Sequence, residues 1–485
     1  MSRRAIPALL VVIAGFIGIV IAGRDAPVSA DPTFSAPTDD WMPAVAQDGA
    51  LTGSWFCPGV PASGEDGVGG EVVVSNRHEE QIEGTFTVLT DDGVGATGLL
   101  TVAAWSQSTI DVDAFVTTPY AAVVVELDGG RGFVEQRAVH PAGDSVAPCA
   151  NATSSEWYFA DGFTVDGSIE TLLLSNPYDD AVVADLAFAT LAGESTPAAF
   201  QGFTIPPHSV KAVRIAELGA RDEPVIATMV TATKGRMIVG RAQHYLGGGR
   251  LGYDVSLATP ALRDQFWFAD GERGDGITET YSIYNPTDRD VDVDIIFLGL
   301  PVEANFGGVA PIVVPARGVV VFDPYDDAVA ATIPDGRHAA VFSAPGEPSI
   351  VVERVLTRPA GQQVATTVVL GAPPRQDGYV ATRWYVGIGP AEPTEEALVV
   401  YNVDNVDASI TVEAVGPAGP SAVPSLTDIP VGPGQVFVID LTADDVVGQE
   451  LIISSTNRMF LERLLPRGGD LSGRSGSWAL PMSVS

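Results

Sequence analysis

Apolar and polar residues alternate along much of this chain with a period of two. In "AVVADLAFATLAG", residues Ala181, Val183, Asp185 and Ala187 fall on one side, and Val182, Ala184, Leu186 and Phe188 on the other. A β-strand gives that period because its successive side chains point to opposite faces. The Asn176-Pro177 step just before it predicts a turn, since proline fixes its own φ and bars the preceding residue from the helical region. "IPPHSVKAVRI", "VPARGVVVFD" and "VGPGQVFVIDL" repeat the scheme, each a Pro/Gly turn leading into a β-branched strand. Long helical periodicities are missing, and the 52 Gly and 36 Pro suit many short strands joined by tight turns.

Three markers recur four times in one order. The first is an aromatic opening: "SWFCPG" with Trp55, "EWYFADG" with Trp157, "QFWFADG" with Trp267 and "RWYVGIG" with Trp384. Eighteen to 21 residues after the leading aromatic, an apolar strand ends in Asn76, Asn176, Asn285 or Asn402. A further 61 to 69 residues on, another strand carries Arg137, Arg241, Arg354 or Arg463. Such self-similarity means a tandem array. The expected architecture is therefore all-β: four antiparallel, immunoglobulin-like β-sandwich repeats at 54–150, 151–262, 263–380 and 381–485. A β-propeller-like closed array is the alternative; blades repeat at about 40–50 residues, so each unit would have to hold two. The connections between units are a few residues long, which points to a semi-rigid array.

At 485 residues the chain exceeds one ordinary core, which agrees with several domains. Its formal charge of −35 repels nucleic acid and anionic lipid, so no nucleic-acid partner is expected. Lys211 and Lys234 are the only lysines. "MSRR" precedes an uncharged apolar run over residues 5–23, long enough to cross a bilayer as a helix. Arg3 and Arg4 would stay in the cytoplasm, placing the bulk outside as a single-pass plasma-membrane protein with a stalk over residues 24–53. A signal peptide cut after Ala30 is the other reading, and would make the protein secreted. Cys57 and Cys149, the only two cysteines, bracket the first repeat and are expected to form a structural disulfide. They lack the close spacing of a redox pair.

Little in the residues points to chemistry. The consecutive aromatics of each opening alternate faces, so packing is expected over a sugar-stacking platform. Asp161-Gly162 and Asp270-Gly271 read as turn residues. "DRDVDVD" at 288–294 superficially resembles a calcium loop, but its Asp/Val alternation is that of a strand with one wet face. Glu353-Arg354 and Glu462-Arg463 sit in apolar strands and, being adjacent, face opposite sides. The recurrent Arg is expected to tie its strand to the Asn turn or to backbone carbonyls. Arg273-Gly274-Asp275 falls in a predicted loop, and the five histidines do not cluster at ligand spacing. No nucleophile elbow, P-loop or His-Glu-x-x-His motif is present. The expectation is a non-catalytic protein with no cofactor and no metal site.

"WYFADG" followed by "LLLSNP", a valine-rich strand and "VVER" resembles the uncharacterised actinobacterial envelope proteins of domain-of-unknown-function family 5719. The resemblance runs from about residue 54 onward and is clearest in units two and three. Unit one has "CPG" in place of the Ala-Asp-Gly turn, and unit four has "GIG". It implies an exported β-rich protein and carries no catalytic residues. The leading functional expectation is an envelope scaffold or protein-interaction module partnered by envelope protein. A cell-wall glycan-binding module is the alternative, and a hydrolase with an unrecognised carboxylate pair the third.

Overall fold

The structure, a computed structural model, describes residues 52–129, 132–300, 309–326, 333–373, 381–387, 397–441, 446, 449–467 and 474–482. Contacts divide the chain into Met1–Pro37 and Thr38–Ser485, and every described residue belongs to the second unit. The apolar run at 5–23 and the stalk lie outside the described residues. Among the described residues no helix is long and apolar enough to cross a membrane.

The fold is all-β, with antiparallel sheets, none of which closes on itself. Repeats 1 to 3 each supply two sheets in the same strand order, and in repeat 4 the long strand Glu450–Pro466 runs through both, joining them into one nine-stranded sheet. The first of the two sheets begins with an opening strand, which is Thr52–Ala62, Glu156–Phe159, Gln265–Arg273 or Ala381–Val386. That strand pairs with the strand leading into the second sheet, which is Thr118–Asp128, Ala227–Lys234, Gly336–Ser343 or the first half of Glu450–Pro466, and this in turn pairs with the third strand of the repeat. The second sheet holds four strands side by side: an edge strand, an Asn strand, a clamp strand and a closing strand. The Asn strands are Gly69–Asn76, Ile169–Asn176, Thr278–Asn285 and Ala397–Asn402. The clamp strands are Gly132–Val139, Ile238–Gly247, Val351–Ala360 and the second half of Glu450–Pro466. Ser145–Pro148, Arg250–Leu257, Gln363–Leu370 and Arg474–Trp478 are the closing strands. This order departs from the immunoglobulin arrangement, where the first strand shares a sheet with the second. Here the opening strand joins the other sheet because its partner is the strand that enters the clamp strand.

The alternation seen in the sequence becomes burial. From Val291 to Phe297, Val291, Val293, Ile295 and Phe297 are buried, while Asp292, Asp294 and Ile296 face solvent. The recurrent Asn does one job four times. Asn76 Nδ2 donates to the carbonyls of Glu80, Val102 and Ala103, and its Oδ1 accepts from the His78 N–H. Asn176, Asn285 and Asn402 make the same set of bonds to their own turns. A buried amide with every bond met fixes where the turn sits against the next hairpin.

The repeats do not run out in a line. Phe56 and Val124 of repeat 1 enter the core of repeat 2. Tyr158 of repeat 2 enters a core shared by repeats 3 and 4. Tyr385, Ile452, Leu480 and Met482 of repeat 4 enter the core of repeat 1. The four closing strands are neighbours in turn, each touching the next and the last touching the first. The four repeats therefore contact one another in a closed ring, the fourth returning to the first. At its centre Arg467 of repeat 4 donates to the Tyr253 carbonyl at 2.9 Å and to the Thr366 carbonyl, and its own carbonyl accepts from the Asp144 N–H. One residue thus bonds to all three other repeats.

Cys57 on the first opening strand is bonded to Cys149, just beyond the first closing strand. The bridge spans 92 residues and ties together the two ends of repeat 1. Replacing both cysteines by serine should lower unfolding stability by about 2–4 kcal/mol, read as an earlier denaturant midpoint.

Candidate functional site

The clamp strands carry the polar groups that recur, and they meet at the junctions between repeats. Adjacent residues of a strand face opposite ways, so Glu353 points back toward repeat 2 while Arg354 points forward to repeat 4. Arg241 of repeat 2 donates to Glu353 at 2.8 Å, with both side chains buried. Arg354 donates to Glu462 at 2.9 Å, and Arg463 donates to Glu135 at 2.6 Å, which joins the last repeat to the first. The opening strand completes each site. The Ala160 and Asp161 N–H groups donate to Glu353 at 2.7 and 2.6 Å, and the Ala269 N–H to Glu462 at 2.8 Å. At the fourth-to-first junction Glu135 lies so close that a Cβ on Gly387 would sit 2.0 Å from its Oε2. Each carboxylate is therefore buried against a guanidinium that donates to it, the condition under which burial is tolerated.

The junction between repeats 1 and 2 is built differently. Gln136 occupies the Arg position and Gly240 the Glu position. Pro58 fills the vacated space, where a Cβ on Gly240 would meet its ring at 2.5 Å. Having no N–H, Pro58 needs no acceptor, and the Gly59 N–H donates to Gln136 Oε1 at 3.2 Å. Arg137, marked in the sequence as the first copy of the recurrent Arg, is one residue out of register. It bonds Glu71 at 3.1 Å and Asp144 at 2.7 Å within its own repeat. Arg241, Arg354 and Arg463 hold the carboxylate of the next repeat rather than an Asn turn.

The openings show the same alternation. Trp55 packs into the core of its own repeat, and Trp157 does likewise. Trp384 is buried in the core shared by repeats 3 and 4. Trp267 lies one position on, at the site of Phe56, Tyr158 and Tyr385, and stacks on Phe460 of repeat 4 at 5.1 Å. Asp161 and Asp270, read from the sequence as turn residues, are fully buried instead. Asp161 accepts from Arg250 at 2.9 Å and from Ser282 of repeat 3 at 2.8 Å. Asp270 draws in Arg337, Arg358 at 2.8 Å and Arg354 at 3.8 Å. The sequence hid this because Asp-Gly is common in turns and the arginines lie 67 to 89 residues away.

Two equivalent glutamates on the Asn strands show what surroundings do to one carboxyl. Burial pushes Glu170 up to about 8; Arg241 opposes this, while Asp161 and Glu353 add to it. Neither carboxylate oxygen of Glu170 has a hydrogen-bond partner among the described residues. Burial also pushes Glu279 up, but His338 at 3.1 Å, Arg354 and the Tyr281 hydroxyl hold it down to about 2. Two other histidines, His140 and His244, meet across the first junction with rings 4.8 Å apart, and His140 stacks on Tyr253 at 4.2 Å. Burial, reinforced by His244, pushes His140 down to about 4. Among the described residues no group of three or more His, Cys, Asp or Glu could hold a metal ion. Arg273 of the Arg-Gly-Asp triplet bonds its own repeat, with Asp335 at 3.5 Å and the Tyr325 ring at 5.4 Å.

Breaking one clamp leaves an unpaired buried carboxylate. Arg354→Met should cost about 3–5 kcal/mol in denaturant unfolding, and adding Glu462→Leu should recover part of that. Recovery stays incomplete because the Ala269 N–H loses its acceptor. Glu170 gives a pH signature. Its pKa is raised in the folded chain, so the stability that its proton supports is complete below about 4.5 and is lost as pH rises through about 8. Glu170→Gln should therefore stabilise by about 3 kcal/mol at pH 7 and by almost nothing at pH 4, measured from paired unfolding curves.

No curated protein matches this chain. Among solved structures, Thermotoga maritima 1070 is similar at 16% identity and a TM-score of 0.20, over 22% of this chain and 92% of that one. The Streptomyces avermitilis alpha-L-rhamnosidase complexed with L-rhamnose is 10% identical with a TM-score of 0.16, over 75% of this chain and 46% of that one. A tetra-tandem repeat from the extending region of a large adhesion protein is 12% identical with a TM-score of 0.08, over 84% and 94%. Likeness at these scores carries no argument about fold or role. The model of a family of unknown function (DUF5719) matches residues 134–240 and 258–450, more than half of the chain, and the chain belongs to that family.

Proposed function

We propose that this chain is a non-catalytic, membrane-anchored scaffold of the cell envelope, built from four tandem β-sandwich units and displaying its outer surface to envelope proteins. One observation carries the reading. The polar groups that recur from repeat to repeat are consumed at buried junctions, where they hold units together and are closed to substrate. The recurrent aromatics are likewise taken up in cores, which argues against their use as a sugar platform. The apolar run at 5–23 supplies the membrane anchor, and the −35 charge keeps the exported body away from anionic lipid and disposes it toward basic partner surfaces.

The full chain in detergent, incubated with envelope membranes and a photo-cross-linker, should give discrete protein adducts that weaken as salt is raised. Insoluble cell-wall polymer treated with the same preparation should release no soluble fragments. Release of reducing ends, abolished by substituting one carboxylate, would overturn the scaffold reading and restore the hydrolase.

A further inference from the structure

The junction between repeats 1 and 2, where the Arg–Glu clamp is absent, also carries a groove of about 370 Å³. Repeat 1 contributes Asp91, Thr118 and Tyr120 to it, and repeat 2 contributes Thr204, Ser209 and Lys211. Its repeat 2 wall is the edge strand Ser209–Arg214, which is paired on one side only, to the Asn strand. Clefts between domains that mix apolar surface with a few convergent polar groups are where small ligands bind.

Lys211 is the informative residue. It is one of two lysines in a chain of charge −35, and it stands half-buried in this groove. Among the described residues no carboxylate lies within ion-pair distance of it. Its ammonium sits 6.0 Å from the Phe203 ring, a contact that leaves its hydrogen-bond donors free. Half-buried Tyr120 packs against the buried cluster that holds Val210 and Tyr253 of repeat 2, so its ring is a fixed wall. From these features we infer that the groove binds an acidic saccharide. The Lys211 ammonium pairs with the sugar carboxylate, the Tyr120 ring packs against the pyranose, and Asp91, Thr118 and Thr204 bond its hydroxyls. Asp91 is what separates this ligand from a bare anion, because a carboxylate welcomes sugar hydroxyls and repels phosphate.

The inference is independent of the scaffold reading: a scaffold with no saccharide ligand would show no binding here yet still cross-link to protein. The test is calorimetry on the full chain in detergent, with trigalacturonic acid, maltotriose and inorganic phosphate as probes. Trigalacturonic acid should bind saturably, at least tenfold more tightly than maltotriose, and more weakly as salt rises. Lys211→Ala should weaken it tenfold or more, while Lys234→Ala, on exposed surface elsewhere, should leave it unchanged. A circular dichroism spectrum confirms that each variant is folded. No saturable binding, equal binding by the neutral trisaccharide or by phosphate, or an unaffected Lys211→Ala would each overturn the proposal.

Discussion

A carboxylate removed from water between two β units must find its countercharge and its hydrogen bonds in the protein, or the units will not stay together. In this ring the requirement is met by one strand position and its neighbour. The strand pleat sends Glu353 one way and Arg354 the other, so a single strand serves two junctions. A buried ion pair adds little net stability over an apolar pair of equal volume, but a displaced one costs several kcal/mol. The clamps therefore act chiefly against wrong register and wrong order. Arg241 can satisfy Glu353 only if repeat 3 sits at the correct height beside repeat 2.

Closure of the ring follows from that same geometry. Arg463 of the fourth repeat needs a carboxylate, and Glu135 of the first repeat supplies it. At the remaining junction the chain gives up the pair altogether. Gln136, Gly240 and Pro58 form a consistent set: an amide where the guanidinium would be, no side chain where the carboxylate would be, and an imino acid with no N–H to satisfy. That junction also holds the His140–His244 contact and the groove with Lys211.

Most of the fold is legible one repeat at a time. The alternation in "VDVDIIF", the Asn-Pro turns and the spacing of Trp55, Asn76 and their counterparts report local geometry, which a strand imposes on its own neighbours. Two registers slip, at Arg137 and at Trp267, since a one-residue shift leaves composition unchanged but turns the side chain to the other face. Asp161 and Asp270 mislead for a related reason: their local context is that of a turn, and their arginine partners are far away in the chain.

Four antiparallel β units in tandem, with a disulfide around the first, can be read from the residues alone, because strand period, turn chemistry and cysteine count are properties of short stretches or of simple counting. That the array closes, that Glu and Arg of successive repeats are partners, and that one junction differs from the other three emerge solely from the packed chain. Those outcomes depend on which side chains of distant repeats meet, and desolvation and charge pairing act on that proximity, which the order of residues along the chain does not record.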